Sequence, residues 1–317
     1  MPMPKKKIFT EANMARVRKI KIITALDIMS LPAILYLIIN NYIPMYGLII
    51  AFKKVDFRKG LYGGDWIGFK NFEYLFKTRD AFVMTRNTLL YNLVFIVVMT
   101  TLGIMVGIML SEIRLRYMTK FYQTTILLPQ LISVVIIANL VFAFLATETG
   151  LINKSILEPL GYPTVNFYST PKYWPFILVF VNTWSGIGYS SLIYFASVIG
   201  IDRELYDAAL VDGAGKLKQI FHITLPLLKP TIVMLTLMSV GRIFSSNFGL
   251  FYQVPMNMGA LYNVTQTIDT YVYRALLQQN NIAMSSAAGA YQSIVGFVTV
   301  LIANWIVRRI DRESALI

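Results

Sequence analysis

Six stretches of this 317-residue chain stay apolar far longer than the elements of a soluble fold require, and they constrain everything else. They cover residues 25–52, 87–111, 121–145, 173–199, 231–252 and 285–307. A bilayer core about 30 Å thick takes roughly 20 helical residues to cross, and within it only helices or closed barrels satisfy their own backbone groups. Runs of this length predict an all-α polytopic membrane protein with six transmembrane helices. Composition agrees: 56% of the residues are hydrophobic and only 14% charged, where a soluble domain carries about a quarter of its residues as charges. An ordinary cytosolic enzyme is excluded. Pro32, Pro44 and Pro129 fall inside spans and predict kinks, because each removes a backbone donor.

Six crossings return the chain to the side from which it started, and the distribution of Lys and Arg chooses that side. Segments sharing the side of the ends, 1–24, 112–120, 200–229 and 308–317, hold seven, three, four and three basic residues. The opposite segments, 53–86, 146–172 and 253–284, hold eight, two and one. The first group is about twice as dense, which predicts cytoplasmic ends. Loop 53–86 runs against that rule with its eight bases. Its Asp56, Gly60, Gly63, Gly64, Asp65, Trp66 and Gly68 suit a packed extracytoplasmic cap. Residues 1–24 lack the short apolar core of a signal peptide, so no removal is expected.

The formal net charge of +13 is carried by bases that flank the spans, so it reads as membrane anchoring and orientation, with no nucleic acid implied. With no Cys and a single His, thiolate metal sites and disulfides are excluded. The expected organisation is a cytoplasmic segment 1–24, one membrane domain 25–307 and a cytoplasmic tail 308–317.

Within the domain, 200–230 is patterned as more than a connector. Asp202 suits a helix N-cap with Glu204 in the first turn, Gly213 and Gly215 suit its end, and a second short helix is expected to stop before Pro226. Ala208, Ala209 and Ala214 leave room for close approach. Periodicity alone fits either a helix docked in a partner's groove or one resting on lipid headgroups.

A resemblance separates these. Asp207-Ala208-Ala209, then Gly213 after three intervening residues, then Ile223-Thr224-Leu225-Pro226 after nine more, resembles the EAA loop of permease subunits in bacterial binding-protein-dependent ABC importers. Asp207 stands where the family usually has Glu. Ile126-Leu127-Leu128-Pro129, Asn182-Thr183-Trp184 and the small-residue run Ser286-Ala287-Ala288-Gly289-Ala290 extend the likeness in order along the chain. It is most similar to the sugar-type permeases, particularly the group associated with complex or acidic oligosaccharides.

The resemblance implies the fold of a type I ABC importer permease. It also implies a second permease subunit, two ATP-binding subunits and an extracytoplasmic solute-binding protein as partners, besides membrane lipid and the oligosaccharide. Asp207, Ala208, Ala209, Gly213, Ile223, Leu225 and Pro226 would form the coupling element that sits in a cleft of the ATP-binding subunit. ATP and Mg would belong to those partners. The chain itself lacks the G-x-x-x-x-G-K-[ST] loop that cradles nucleotide phosphates, so neither catalysis nor a bound cofactor is expected of it. His222, with no nucleophile and acid to complete a set, reads as an ordinary surface residue.

Polar side chains inside spans are where a polar solute would pass. Helical spacing places Asn182, Ser185 and Tyr189 on one face, an amide, a hydroxyl and a phenol that suit a sugar. They equally suit contacts between helices, with Trp184 and Tyr189 in an interfacial aromatic belt. The resemblance to maltose-type permeases implies solute contacts at Asn182, Trp184, Ser185, Gly186 and Tyr189, at Gln130 with Ser133 nearby, and close to Arg242. Arg242 lies in an apolar run with no acid of its own. A solute carboxylate held bidentately, an acid on another chain and snorkelling to the surface all fit it. An ion-coupled secondary transporter or channel, and a non-transporting scaffold, are the rival readings; the first requires intramembrane acids, of which only Asp27 and Asp269 lie near spans.

Overall fold

The computed structural model describes residues 27–60 and 62–310; expectations for segment 1–24 and for the tail beyond residue 310 lie outside these. Among the described residues the chain is helical, with one isolated bridge between Lys53 and Trp66. Five helices are long and apolar enough to cross a membrane, and a bent pair makes a sixth crossing.

The first crossing, α1 (Asp27–Phe52), meets Pro44 by widening: the Ile43 amide reaches back five residues to the Ile38 carbonyl, ending a π turn at Ile38–Tyr42. Beyond Pro44 the helix tightens to 3-10 over Tyr46–Phe52. Pro44 then falls in the first turn of the α segment that follows, where its missing amide costs least. Residues 27–46 of α1 are exposed throughout.

Loop 53–69 and α2 (Lys70–Lys77) form a cap packed on aromatic rings. Phe52 stacks on Trp66 at 5.6 Å and meets Phe69 edge-on at 5.3 Å. Buried Asn71 ties this cap to α1 by donating to the carbonyls of Ala51 and Lys53. On the exposed face Lys77 pairs with Glu73 at 2.6 Å and holds its carboxyl below the usual range.

The second crossing, α3 (Arg79–Ser111), starts at Arg79 rather than at residue 87, capped by the Thr78 hydroxyl. Its first turns are polar because they stitch the outer loops together. Asn87 donates to the carbonyls of Asn263 and Gln266, Tyr91 to that of Val264, and the Thr88 hydroxyl accepts from the Ile268 amide.

The third crossing is bent, not straight. α4 (Arg116–Leu131) and α5 (Val134–Leu145) meet at 92°, and the break falls at Ile132–Ser133, just past Pro129. The Ser133 hydroxyl accepts from the Val135 amide and starts the new helix. α6 (Trp174–Ile199) follows the expected fourth span and packs along α3 and α4. At Gly188 a Cβ would lie 2.3 Å from the Ile126 carbonyl oxygen, so any side chain there would force α4 away.

α7 (Arg203–Val211) leads to α8 (Lys216–Val240), and here the expected boundaries move. No short helix stops before Pro226. The Leu225 amide reaches back to Ile220, a π turn spans Ile220–Thr224, and the helix runs on through Pro226 and Pro230. The device is the one used before Pro44. Only 200–215 of the expected loop therefore lies outside long helices. The fifth crossing ends at Val240, and 241–247 is non-helical before the short α9 (Phe248–Tyr252). After α10 (Ile268–Leu277), α11 (Ile282–Ile310) makes the last crossing.

Two ends result. At one, loops 53–69, 146–173 and 253–281 pack over the start of α3, with Trp174, Leu178, Phe251, Val254 and Leu261 fully or nearly fully buried. Arg274 is also buried there. It lies 4.0 Å from the Tyr262 ring and donates to Asn257, Gln266 and Thr270, while burial draws its pKa down. At the other end Ile108, Val198 and Leu228 form a small core beside α7. α1 and α11 both run between the ends, so Asp27 and Ile310 belong to the α7 end. Large apolar side chains such as Phe176, Phe180, Phe297 and Trp305 remain exposed, as lipid-facing helices require.

Candidate functional site

A cavity of about 580 Å³ opens between α3, α6 and the end of α8. Asn92 and Thr100 line it from α3, Asn182, Tyr189 and Ser190 from α6, and Ser239, Arg242, Ser245 and Asn247 from α8 and the break after it. Apolar groups including Phe95, Met99 and Met238 fill the remaining wall. Amides, hydroxyls, a phenol and a cation among aromatic and aliphatic surface suit a polar solute with apolar faces.

Three of the groups singled out in the sequence meet here: Asn182, Tyr189 and Arg242. Their side chains make no hydrogen bond or ion pair among the described residues, so their donors and acceptors are available. The other five lie elsewhere. Ser185 is turned aside on α6 and donates to the Asn182 carbonyl at 3.2 Å. A helix turns about 100° per residue, so 182, 189 and 193 share the cavity face while 185 sits on its edge. Gly186 faces α3, where a Cβ would approach the Met99 methyl at 3.0 Å. Trp184 lines an apolar groove of about 630 Å³ with Phe144, Phe176 and Phe180, on another side of α6. Gln130 and Ser133 are exposed at the bend between α4 and α5.

Arg242 is not inside a continuous helix. It is presented by the break 241–247, whose backbone groups would be costly in a membrane if left without partners. Side chains supply them. Asn92 donates to the carbonyls of Ile243 (2.8 Å) and Ser245 (3.1 Å), and Gln292 to that of Phe244 (2.8 Å). The Asp269 carboxylate accepts from the Ser246 amide and hydroxyl, each at 2.7 Å, and from Gln292 at 3.1 Å. Asn92, Ser190, Ser239, Ser245 and Asn247 were not among the sequence candidates. Asn92, a lone amide in an apolar span, was the signal that could have found this wall.

At the other end, α7 is capped by Asp202, whose carboxylate accepts from the Glu204 amide at 3.1 Å. It ends in a Schellman turn: Ala214 N–H reaches Ala209 O at 2.8 Å and Gly213 N–H reaches Leu210 O at 3.0 Å. Gly213 has φ +76°, a backbone region that favours glycine. The Tyr206 hydroxyl meets that of Thr224 at 2.9 Å, and Lys216 pairs with Glu112 at 2.7 Å, fastening α7 to α8 and α8 to α3. Asp207, Ala208, Gly213 and Pro226 are exposed, and Ala209, Ile223 and Leu225 half-buried. Exposed with them are Leu210, Val211, Leu217 and Phe221, an apolar surface at the end of a polar one. His222 is exposed, and its ring meets the Lys218 carbonyl at 3.0 Å.

Comparison with known proteins agrees with this architecture. Residues 99–312 match the family described as binding-protein-dependent transport system inner membrane component. The chain is 33% identical, over 91% of its length and 89% of the relative's, to the polygalacturonan/rhamnogalacturonan transport system permease protein YteP of Bacillus subtilis (strain 168). Among solved structures it is similar to a chain of a bacterial ABC transporter involved in the import of the acidic polysaccharide alginate. The TM-score is 0.83 at 33% identity, covering 94% of this chain and 99% of that one. A bacterial alginate ABC transporter in complex with alginate pentasaccharide-bound periplasmic protein matches with a TM-score of 0.82 at 33% identity, covering 92% and 97%.

Proposed function

This chain belongs to the family of binding-protein-dependent transport system inner membrane components, and from that premise we propose that it forms one half of an ABC importer's pathway for an acidic oligosaccharide. The observation that carries the reading is the cavity in which Arg242, Asn182 and Tyr189 converge with their side chains unengaged. A guanidinium at a helix break inside the membrane suits a solute carboxylate, which it can hold through two parallel hydrogen bonds. Amide and phenol suit sugar hydroxyls and ring faces. The similarity to transporters of polygalacturonan/rhamnogalacturonan and alginate supports a uronate-bearing solute.

In this reading a second permease completes the pathway, a solute-binding protein delivers the sugar to the cap formed by loops 53–69, 146–173 and 253–281, and two ATP-binding subunits dock at α7. ATP hydrolysis belongs to those subunits. The test is the assembled importer in proteoliposomes. Binding protein loaded with a uronate oligosaccharide is expected to stimulate ATP hydrolysis and drive uptake, and stimulation without uptake, or neither, would overturn the reading. An ion-coupled transporter predicts uptake that follows an ion gradient without ATP. Asp269, an acid that such coupling could use, is already engaged by three donors.

The orientation proposed from the density of Lys and Arg places α7 in the cytoplasm. The chain has no native cysteine, so Arg58→Cys in the cap loop and Lys218→Cys on α8, both at exposed positions, can be labelled alone. A membrane-impermeant thiol reagent is expected to reach position 58 only from outside and position 218 only from the cytoplasm. The reverse pattern would invert the topology.

A further inference from the structure

The wall that presents Arg242, Ser245 and Asn247 has no helical backbone of its own to hold it. Its geometry is set by side chains from elements distant in sequence, and one of them occupies a central place. Asp269, at the start of α10, is half-buried and faces three donors: Ser246 N–H and Ser246 Oγ on one oxygen, and Gln292 Nε2 on the other. A carboxylate only accepts, so the Ser246 hydroxyl donates to it, with the Thr267 hydroxyl, 2.7 Å away, as a second acceptor of the same hydrogen. Gln292 is oriented in turn, since the same Nε2 also serves the Phe244 carbonyl.

We propose that Asp269 is a positioning residue for solute recognition, fixing the break 241–247 so that Arg242 and Ser245 face the pathway. The inference rests on the reading of this cavity as the solute path. An amide cannot replace the carboxylate here. With Asn at 269, its NH₂ must face either Ser246 or Gln292, and turning Gln292 over to accept from it would remove the donor from Phe244. Whichever way the amide is placed, one group inside the membrane loses its partner, and the break is expected to shift.

The experiment uses the assembled importer in proteoliposomes with one introduced thiol, at Ser245→Cys in the break or Ser190→Cys on the facing α6 wall. Asp269→Asn is expected to change the rate at which a small methanethiosulfonate modifies the thiol at 245 by roughly tenfold, the scale of losing a charge-assisted hydrogen bond. Ser246→Ala, which keeps the backbone bond to Asp269, is expected to change it by a smaller factor, about threefold, and carries the test if Asp269→Asn does not assemble. The rate at 190 is expected to stay constant in both. Asp269→Asn is also expected to reduce uptake of trigalacturonate relative to its methyl ester, a ratio that general loss of folded protein would not move. An unchanged rate at 245, or equal shifts at 245 and 190, would overturn the positioning role. A shift at 245 that saturating trigalacturonate on the binding protein fails to protect against would leave the positioning role standing and overturn the pathway reading instead.

Discussion

Proline at Gly213 is expected to abolish solute uptake while leaving the chain inserted in the membrane. Gly213 sits at φ +76° and its amide closes the turn onto the Leu210 carbonyl. Proline fixes φ near −65° and has no amide hydrogen, so both features are lost together, at a cost of about 3 kcal/mol or more. At about 1.4 kcal/mol per tenfold, the correctly ended α7 would fall by roughly a hundredfold or more. The loss is local because α7 is fastened separately, through Tyr206 to Thr224, and because the space around Gly213 is open. Uptake and ATP hydrolysis by proteoliposomes, with co-purification of the ATP-binding subunits, measure the effect. Gly213→Asn, a residue that tolerates the left-handed region, is expected to retain most of the uptake. Normal uptake by the proline variant would remove α7 from the coupling path.

Arg242→Gln is expected to divide solutes by charge. Glutamine keeps a hydrogen-bonding group in the cavity and removes the cation, so uptake of trigalacturonate should fall by about 10- to 100-fold. That range corresponds to the roughly 1.5–3 kcal/mol of a hydrogen bond to a charged group. Uptake of the methyl ester, with the same skeleton and no charge, should change by no more than about threefold, the scale of a neutral hydrogen bond at its weakest. An equal fall for both solutes, or failure of the complex to assemble, would make Arg242 a structural cation. The guanidinium has no protein partner among the described residues that could be orphaned by the change, which makes the comparison a clean one.

What could be read in advance follows from which physical signals are local. The crossings were legible because length and apolarity are enough to define a helix in lipid, and the start of α7 was legible because Asp202 is a cap whose partner lies two residues away. Pro44 and Pro129 were read correctly as perturbations, and Pro226 incorrectly as an end. Pro226 does not stop α8, because it falls in the first turn of the α segment that follows a π turn, where its missing amide costs least. The run from Lys216 to Lys229 read as a separate short helix of the loop for the same reason, which displaced the fifth crossing toward residue 252. Hydropathy cannot register a break inside an apolar run, since the break at 241–247 is made possible by Asn92, Asp269 and Gln292 from other parts of the chain. The cluster Ser245-Ser246-Asn247, three residues past Gly241-Arg242, was its local sign. Of the cavity, the side contributed by α6 was visible from helical spacing. The α3 side was not, because one asparagine in a long apolar helix shows what it faces only when the helices are assembled.

The side-chain hydrogen bonds that hold the break have a consequence for a solute. A sugar leaving water for a membrane interior surrenders its hydration shell, and the process is slow if the protein must first rearrange to supply a replacement. Here the carbonyls of Ile243, Phe244 and Ser245 and the Ser246 amide already have partners in Asn92, Gln292 and Asp269, so none of these dipoles has to be turned when a polar solute arrives. Passage then becomes an exchange of one solvent for another of fixed orientation. The reorganisation energy that such a transfer demands of water is met in advance, when the chain folds.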